Sequence, residues 1–222
     1  MKLYNILFSI LFIKLVNSEE FTGRLTRDVL ERWGYNSNTV FMDLSNKEIE
    51  TIDSTTFQSF TNLETLILNY NELVELDANT FQNLNKLTYL SISHNFLTKL
   101  HPDLFKGLTS LINLDLDNNQ ISTLPQGLFL NTNKLFVLVL SFNNLIRIEA
   151  NTFSGLNLIK RISLDNNRIL VVDKTCFIGL VQLQEVLLFN NPYTLINQSS
   201  ALNLCSSIPS CVIETNSPQA IY

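Results

Sequence analysis

The chain is short of histidine, cysteine and positive charge, and each shortage removes a class of function. It has two histidines, His94 and His101, and three cysteines, Cys176, Cys205 and Cys211, none paired at zinc-site spacing. No G-x-S-x-G, H-E-x-x-H or phosphate-binding loop occurs. Catalysis is therefore not expected, no residue is assigned a catalytic role, and no metal or other cofactor is implied. Acidic residues outnumber basic ones by 20 to 15, for a formal charge of −5, whereas a nucleic-acid surface needs the opposite balance. Beyond Ser18 no apolar run approaches the ~18 residues of a membrane span.

The first residues read as a leader. Met1-Lys2, an apolar run from Leu3 to Ile13 and the exit Val16-Asn17-Ser18 have the order of a secretory signal peptide, with cleavage expected after Ser18. Losing Lys2 and Lys14 with it takes the formal charge from −5 to −7. The expected product is secreted and extracellular.

What the chain has in abundance is one apolar template. It returns every 24 residues from Leu63 to Asn191, and its clearest copy is Leu63-x-x-Leu66-x-Leu68-x-x-Asn71-x-Leu73-x-x-Leu76, closed by Phe81 and Leu84. A fixed period of this length predicts a solenoid. The period-two stretch puts Leu66 and Leu68 on one face of a short strand and Thr65, Ile67 and Asn69 on the other. One such strand cannot bury its apolar face alone, but stacked copies form a parallel sheet stepping about 4.8 Å per repeat.

Two further columns share the interval. Asn71, Asn95, Asn119, Asn143, Asn167 and Asn191 fall where the chain turns inward, so their carboxamides are expected to bond the turn backbone of their own repeat and the next. Phe57, Phe81, Phe105, Phe129, Phe153 and Phe177 predict a stacked spine inside the opposite wall.

The pattern L-x-x-L-x-L-x-x-N-x-L with a later F-x-x-L resembles the leucine-rich repeat family, specifically its 24-residue "typical" extracellular class, over Thr39 to Asn191. The resemblance implies an α/β fold: a right-handed leucine-rich repeat solenoid, or horseshoe, with a parallel β-sheet on the concave face. It implies a face that binds proteins, sometimes lipids or glycans, without identifying the ligand. The organisation expected is a signal peptide over 1–18, an N-terminal cap over 19–38, repeats over 39–191 (six full copies plus a final half-copy) and a C-terminal cap over 192–222.

The caps depart from the family's habit. The N-terminal one has no cysteine and must hold by packing of Phe21, Leu25, Val29, Leu30 and Trp33, with a short helix starting near Thr26 and stopping at Gly34. Thr39 and Lys47 replace template residues of the first repeat. Asn191-Pro192-Tyr193 resembles the opening of a cysteine-rich C-terminal cap, in which Cys205 and Cys211 are expected to pair as a disulfide. Cys176 is either a small semi-buried side chain or a thiol for an intermolecular bridge, and Asn197 heads an N-glycosylation sequon.

Function is expected on the outward strand positions. Ile112, Phe136, Val137, Val139 and Phe142 form an apolar group over two adjacent strands, rimmed by Asp115, Asp117, Arg161 and Asp165, with Tyr70 and Tyr89 as further anchors. Calcium at Asp115 and Asp117 is a weaker reading, since no ligand loop accompanies them. The expected partner is an extracellular protein ligand or receptor. The alternatives are an adhesive matrix component and a receptor for microbial glycan or lipid.

Overall fold

The computed structural model describes residues 21–193, 204, 208 and 211–215. The leader, Asn197 and Cys205 lie outside the described residues.

Each repeat contributes one three-residue strand: β2 (Phe41–Asp43), β4 (Thr65–Ile67), β5 (Tyr89–Ser91), β6 (Asn113–Asp115), β7 (Val137–Val139), β9 (Arg161–Ser163) and β11 (Glu185–Leu187). They pair in parallel, and Leu66, Leu90, Leu114, Leu138 and Ile162 align in one file. That register is the 24-residue period of the sequence made physical. An eighth strand, β12 (Val212–Glu214), pairs with β11 and closes the order β12-β11-β9-β7-β6-β5-β4-β2. The chain is a leucine-rich repeat solenoid of stacked parallel strands.

The helical part of the α/β expectation is small among the described residues: α1 (Arg27–Arg32) in the N-terminal cap, and a helical stretch at Pro192 and Tyr193 just past the last ladder asparagine. The return arms are turns, so the fold is mostly sheet. Thr26 caps α1 by accepting the Val29 N–H at 3.4 Å. Past Trp33 the chain bends left-handed at Gly34 (φ 92°), and the Gly34 and Tyr35 N–H groups return to the Glu31 and Leu30 carbonyls, a Schellman ending that only glycine enters without strain. Small two-stranded pairs complete the outline: β1 (Arg24–Leu25) with β3 (Thr51–Ile52), and β8 (Arg147–Ile148) with β10 (Val171–Val172). β1 carries the cap onto the first repeat.

The template leucines form one continuous core, nearly all of them fully buried. At roughly 1.5–3 kcal/mol for each buried aliphatic or aromatic side chain, this file is the main stabilising element. All six spine phenylalanines are at most 1 % exposed. Four of their five steps are stacked ring pairs, from 5.5 Å for Phe153–Phe177 to 6.4 Å for Phe105–Phe129.

The asparagines act backwards along the chain. Oδ1 of Asn95 accepts the Leu73 N–H at 3.1 Å, while Nδ2 donates to the Leu68 carbonyl of the preceding repeat at 3.0 Å and to Ile92 of its own turn. Asn119, Asn143 and Asn167 repeat these bonds 24 residues on. The bonds to their own turn are as expected, but the bonds between repeats run to the preceding repeat instead of the next. This explains Lys47. The first turn has no earlier repeat to serve, so its residue is released, and the Lys47 ammonium sits 5.8 Å from the Trp33 ring of the cap.

Candidate concave binding face

The side chains that alternate with the buried leucines line the concave face, and their bulk sets its relief. Ser91 and Ser163 are 0 % and 4 % exposed in the central column, where Ile67, Asp115, Val139 and Leu187 are half-buried. Small side chains therefore lower the floor at β5 and β9. Because β9 lies between β7 and β11, Val139 and Leu187 flank Ser163 directly. The result is an apolar trough, continued by Val137 and Phe189, that the sequence reading caught only in part. Leu187 and Phe189 were missed because Ser163 separates them from Val139 by a full repeat.

The second half of the face is polar. The Ser91 hydroxyl is 2.7 Å from Asn69 Oδ1 and 2.8 Å from Asp115 Oδ2, able to donate to either. Asp115 Oδ1 also accepts the Asp117 N–H at 3.0 Å. Asp117 is half-buried; its Oδ2 accepts from Asn118 Nδ2 at 2.5 Å, while its solvent-shielded Oδ1 has no hydrogen-bond partner among the described residues. Burial, reinforced by the charges of Asp115 and Asp165, pushes the Asp117 carboxyl above the usual carboxylate range. Among the described residues no three potential ligand side chains converge on a metal position.

Asp165 requires a correction. It was expected in the charged rim, but it is 5 % exposed and both oxygens are engaged, Oδ1 by the Ser141 hydroxyl at 2.7 Å and Oδ2 by Asn166 at 2.7 Å. Its position beside the small Ser141 draws it into the floor. Arg161 stays on the surface, paired with Glu185 at 2.9 Å, and the Lys160 ammonium lies 4.9 Å from the Phe136 ring.

One edge of the face is a left-handed file. Asn46, Tyr70, His94, Asn118, Phe142, Asn166 and Asn190, each just before the ladder position, all have φ between 51° and 56°. Asparagine tolerates this conformation and bulky residues do not. Tyr70, His94 and Phe142 occupy it nonetheless. The Tyr70 and His94 rings stack at 4.2 Å and 12°, and Tyr70 and Phe142 are 54 % and 51 % exposed. Tyr89 and Ile112 are also exposed, whereas Phe136, Val137 and Val139 are half-buried.

Cys176 points into the core at 1 % exposure and is free. Burial, then the charge of Asp173, raises its thiol pKa far above the ordinary range, so it offers no bridge without local opening. Cys211 lies half-buried at the edge of the core.

A family profile described as leucine rich repeat matches residues 39–95, 86–145 and 133–192. The chain belongs to the leucine-rich repeat family. No curated protein matches it, but 377 solved chains do. Among them is the crystal structure of a TLR13–ssRNA13 complex, with 30% sequence identity and a TM-score of 0.61 over 64% of this chain. This chain spans 20% of that one. Leucine-rich repeat domains generally mediate binding.

Proposed function

We propose that this protein is a secreted binding module that presents its concave sheet to an extracellular protein ligand or receptor. The observation that carries the reading is the apolar trough over Ser163, walled by Val139 and Leu187 and continued by Val137 and Phe189, with the exposed Phe142 in the edge file of the same face. Half-buried aliphatic walls beside an exposed aromatic residue suit the apolar centre of a protein interface. The TLR13 structure holds single-stranded RNA, yet phosphate recognition fits this face poorly. Its cations sit beside an acid or an aromatic ring, Arg161 with Glu185 and Lys160 over Phe136, and Asp115 and Asp117 add negative charge to the face.

A second reading is favoured by one feature. The stacked, partly exposed Tyr70 and His94 rings form a platform suited to a sugar face, which would make the ligand a glycan.

The test is cross-linking capture from extracellular fluid by the native chain and by a Val139→Lys, Phe142→Ala variant with unchanged circular dichroism. The reading expects one stoichiometric protein to be lost with the variant. Equal capture by both chains counts against it, and binding to carbohydrate arrays without protein favours the glycan reading.

A further inference from the structure

A second surface, outside the concave face, is complementary to itself. Past the ladder asparagines each repeat runs down one flank of the solenoid, and the flank is held in register by backbone bonds. The Phe96, Gln120, Asn144 and Arg168 N–H groups donate to the carbonyls of Leu73, Leu97, Ile121 and Leu145 of the preceding repeats. Further down, Thr98 N–H donates to the Val74 carbonyl and Leu170 N–H to that of Ile146. Val74, Ile146 and Leu170 thus stand in one file, and they are 51%, 48% and 49% exposed.

Charge divides most of this flank along its length, with Lys99 of the third repeat the exception in the file that holds Glu75 and Arg147. Toward the N-terminus Glu50, Glu72 and Glu75 surround Val74 and Phe96, and these residues line an open groove of about 580 Å³. Toward the C-terminus the same positions hold Arg147 and Arg168 beside Ile146 and Leu170. Among the described residues Glu50, Glu75 and Arg168 have no ion pair. Arg147 pairs with Glu149 across two exposed side chains, an arrangement worth only about 0–1 kcal/mol and therefore readily exchanged.

We infer that two copies of this chain associate through this flank, antiparallel, about a two-fold axis. The six repeats then pair first with sixth, second with fifth and third with fourth. A two-fold contact is isologous, so every pairing occurs twice. Val74 meets Ile146 of the second copy, Glu75 meets Arg147, and Glu50 falls on Leu170 beside Arg168, which itself faces Glu48. Phe96 falls near the axis, facing the small polar Gln120 and Ser122 of the other copy. A heterologous stack would satisfy each pairing once and leave an acidic end and a basic end open. The antiparallel dimer leaves neither, and it leaves the concave sheet of each copy uncovered.

Sedimentation of the full chain over a range of concentrations tests this. The native chain is expected to pass from monomer to dimer, with weaker association at high salt. Glu75→Arg places like charges together twice and is expected to weaken association at least tenfold; Val74→Asp weakens it by a different route, setting a carboxylate against the apolar Ile146. The decisive chain carries Glu75→Arg and Arg147→Glu together, because the axis pairs the two positions with each other and the exchange restores dimerisation. A native chain that stays monomeric overturns the proposal. So does undiminished dimerisation of Glu75→Arg with circular dichroism unchanged, or a double variant no better than the single ones. Val139→Lys on the concave face leaves the dimer intact, so failure here is distinct from failure of the concave-face reading.

Discussion

Oδ1 of Asn119 accepts the backbone N–H of Leu97 at 3.0 Å, across the boundary between two repeats. Its Nδ2 donates to the Ile92, Leu116 and Asp117 carbonyls, so one side chain meets four backbone groups in a region that largely excludes water. Leaving a buried polar group unmet costs about 1–3 kcal/mol. Asn119→Ala is therefore expected to lose at least ~3 kcal/mol in denaturant unfolding. Lys47→Ala, in the corresponding position of the first repeat, is expected to change stability by less than ~1 kcal/mol, since the Lys47 side chain meets the exposed Trp33 ring and the exposed Asp43 carboxylate. Equal losses from the two would show that the ladder does not act through these bonds.

The free thiol of Cys176 is expected to be inert in the folded chain. Burial raises its pKa above the ordinary 9.0, and thiolate is the reactive form. A thiol reagent should modify Cys176 only at the rate of local or global opening. The linkage has a definite sign: the stability tied to a protonated Cys176 is fully present below pH 9.0 and is lost as pH rises through the folded value, because the unfolded thiol ionises first. Cys176→Ser removes that dependence. Rapid labelling of native protein at neutral pH would contradict the buried placement.

Asp117 behaves in the same direction at the acid end. Its folded pKa lies above 3.8, chiefly through burial, so the stability tied to its proton is present below 3.8 and lost as pH rises through the folded value. Asp117→Asn supplies an amide where Oδ1 has no hydrogen-bond partner among the described residues. The variant is expected to be more stable than the native chain at neutral pH, with the difference shrinking on acidification. Thermal unfolding of both chains across that range measures it, and a destabilised variant at neutral pH would contradict it.

The repeats were legible in the sequence because a buried leucine file imposes its period on the residues themselves. Leu66, Leu90 and Leu114 cannot change hydropathy without losing the core, so register could be read directly. Other features leave no such mark. The left-handed file holds Asn118, Tyr70 and Phe142 alike, which share a backbone conformation but no hydropathy. Asp165 sinks into the floor because its partner Ser141 lies 24 residues away and is small, a relation that local pattern does not contain. Strand β12 follows β11 after 27 residues instead of 24, with no template before Val212. Its pairing is set by the open edge of β11.

The central claim is that the concave face is shaped for a partner at some expense of stability. Phe142 and Tyr70 test it most directly, since both hold a left-handed backbone that asparagine accepts in the same file. A bulky residue there costs of order 1–3 kcal/mol. The measurement is thermal unfolding together with capture from extracellular fluid, made on Phe142→Asn and Tyr70→Asn. The account predicts a Tm equal to or above that of the native chain and a loss of the captured partner. An unchanged capture at undiminished Tm would contradict it and remove these aromatic side chains from the binding face.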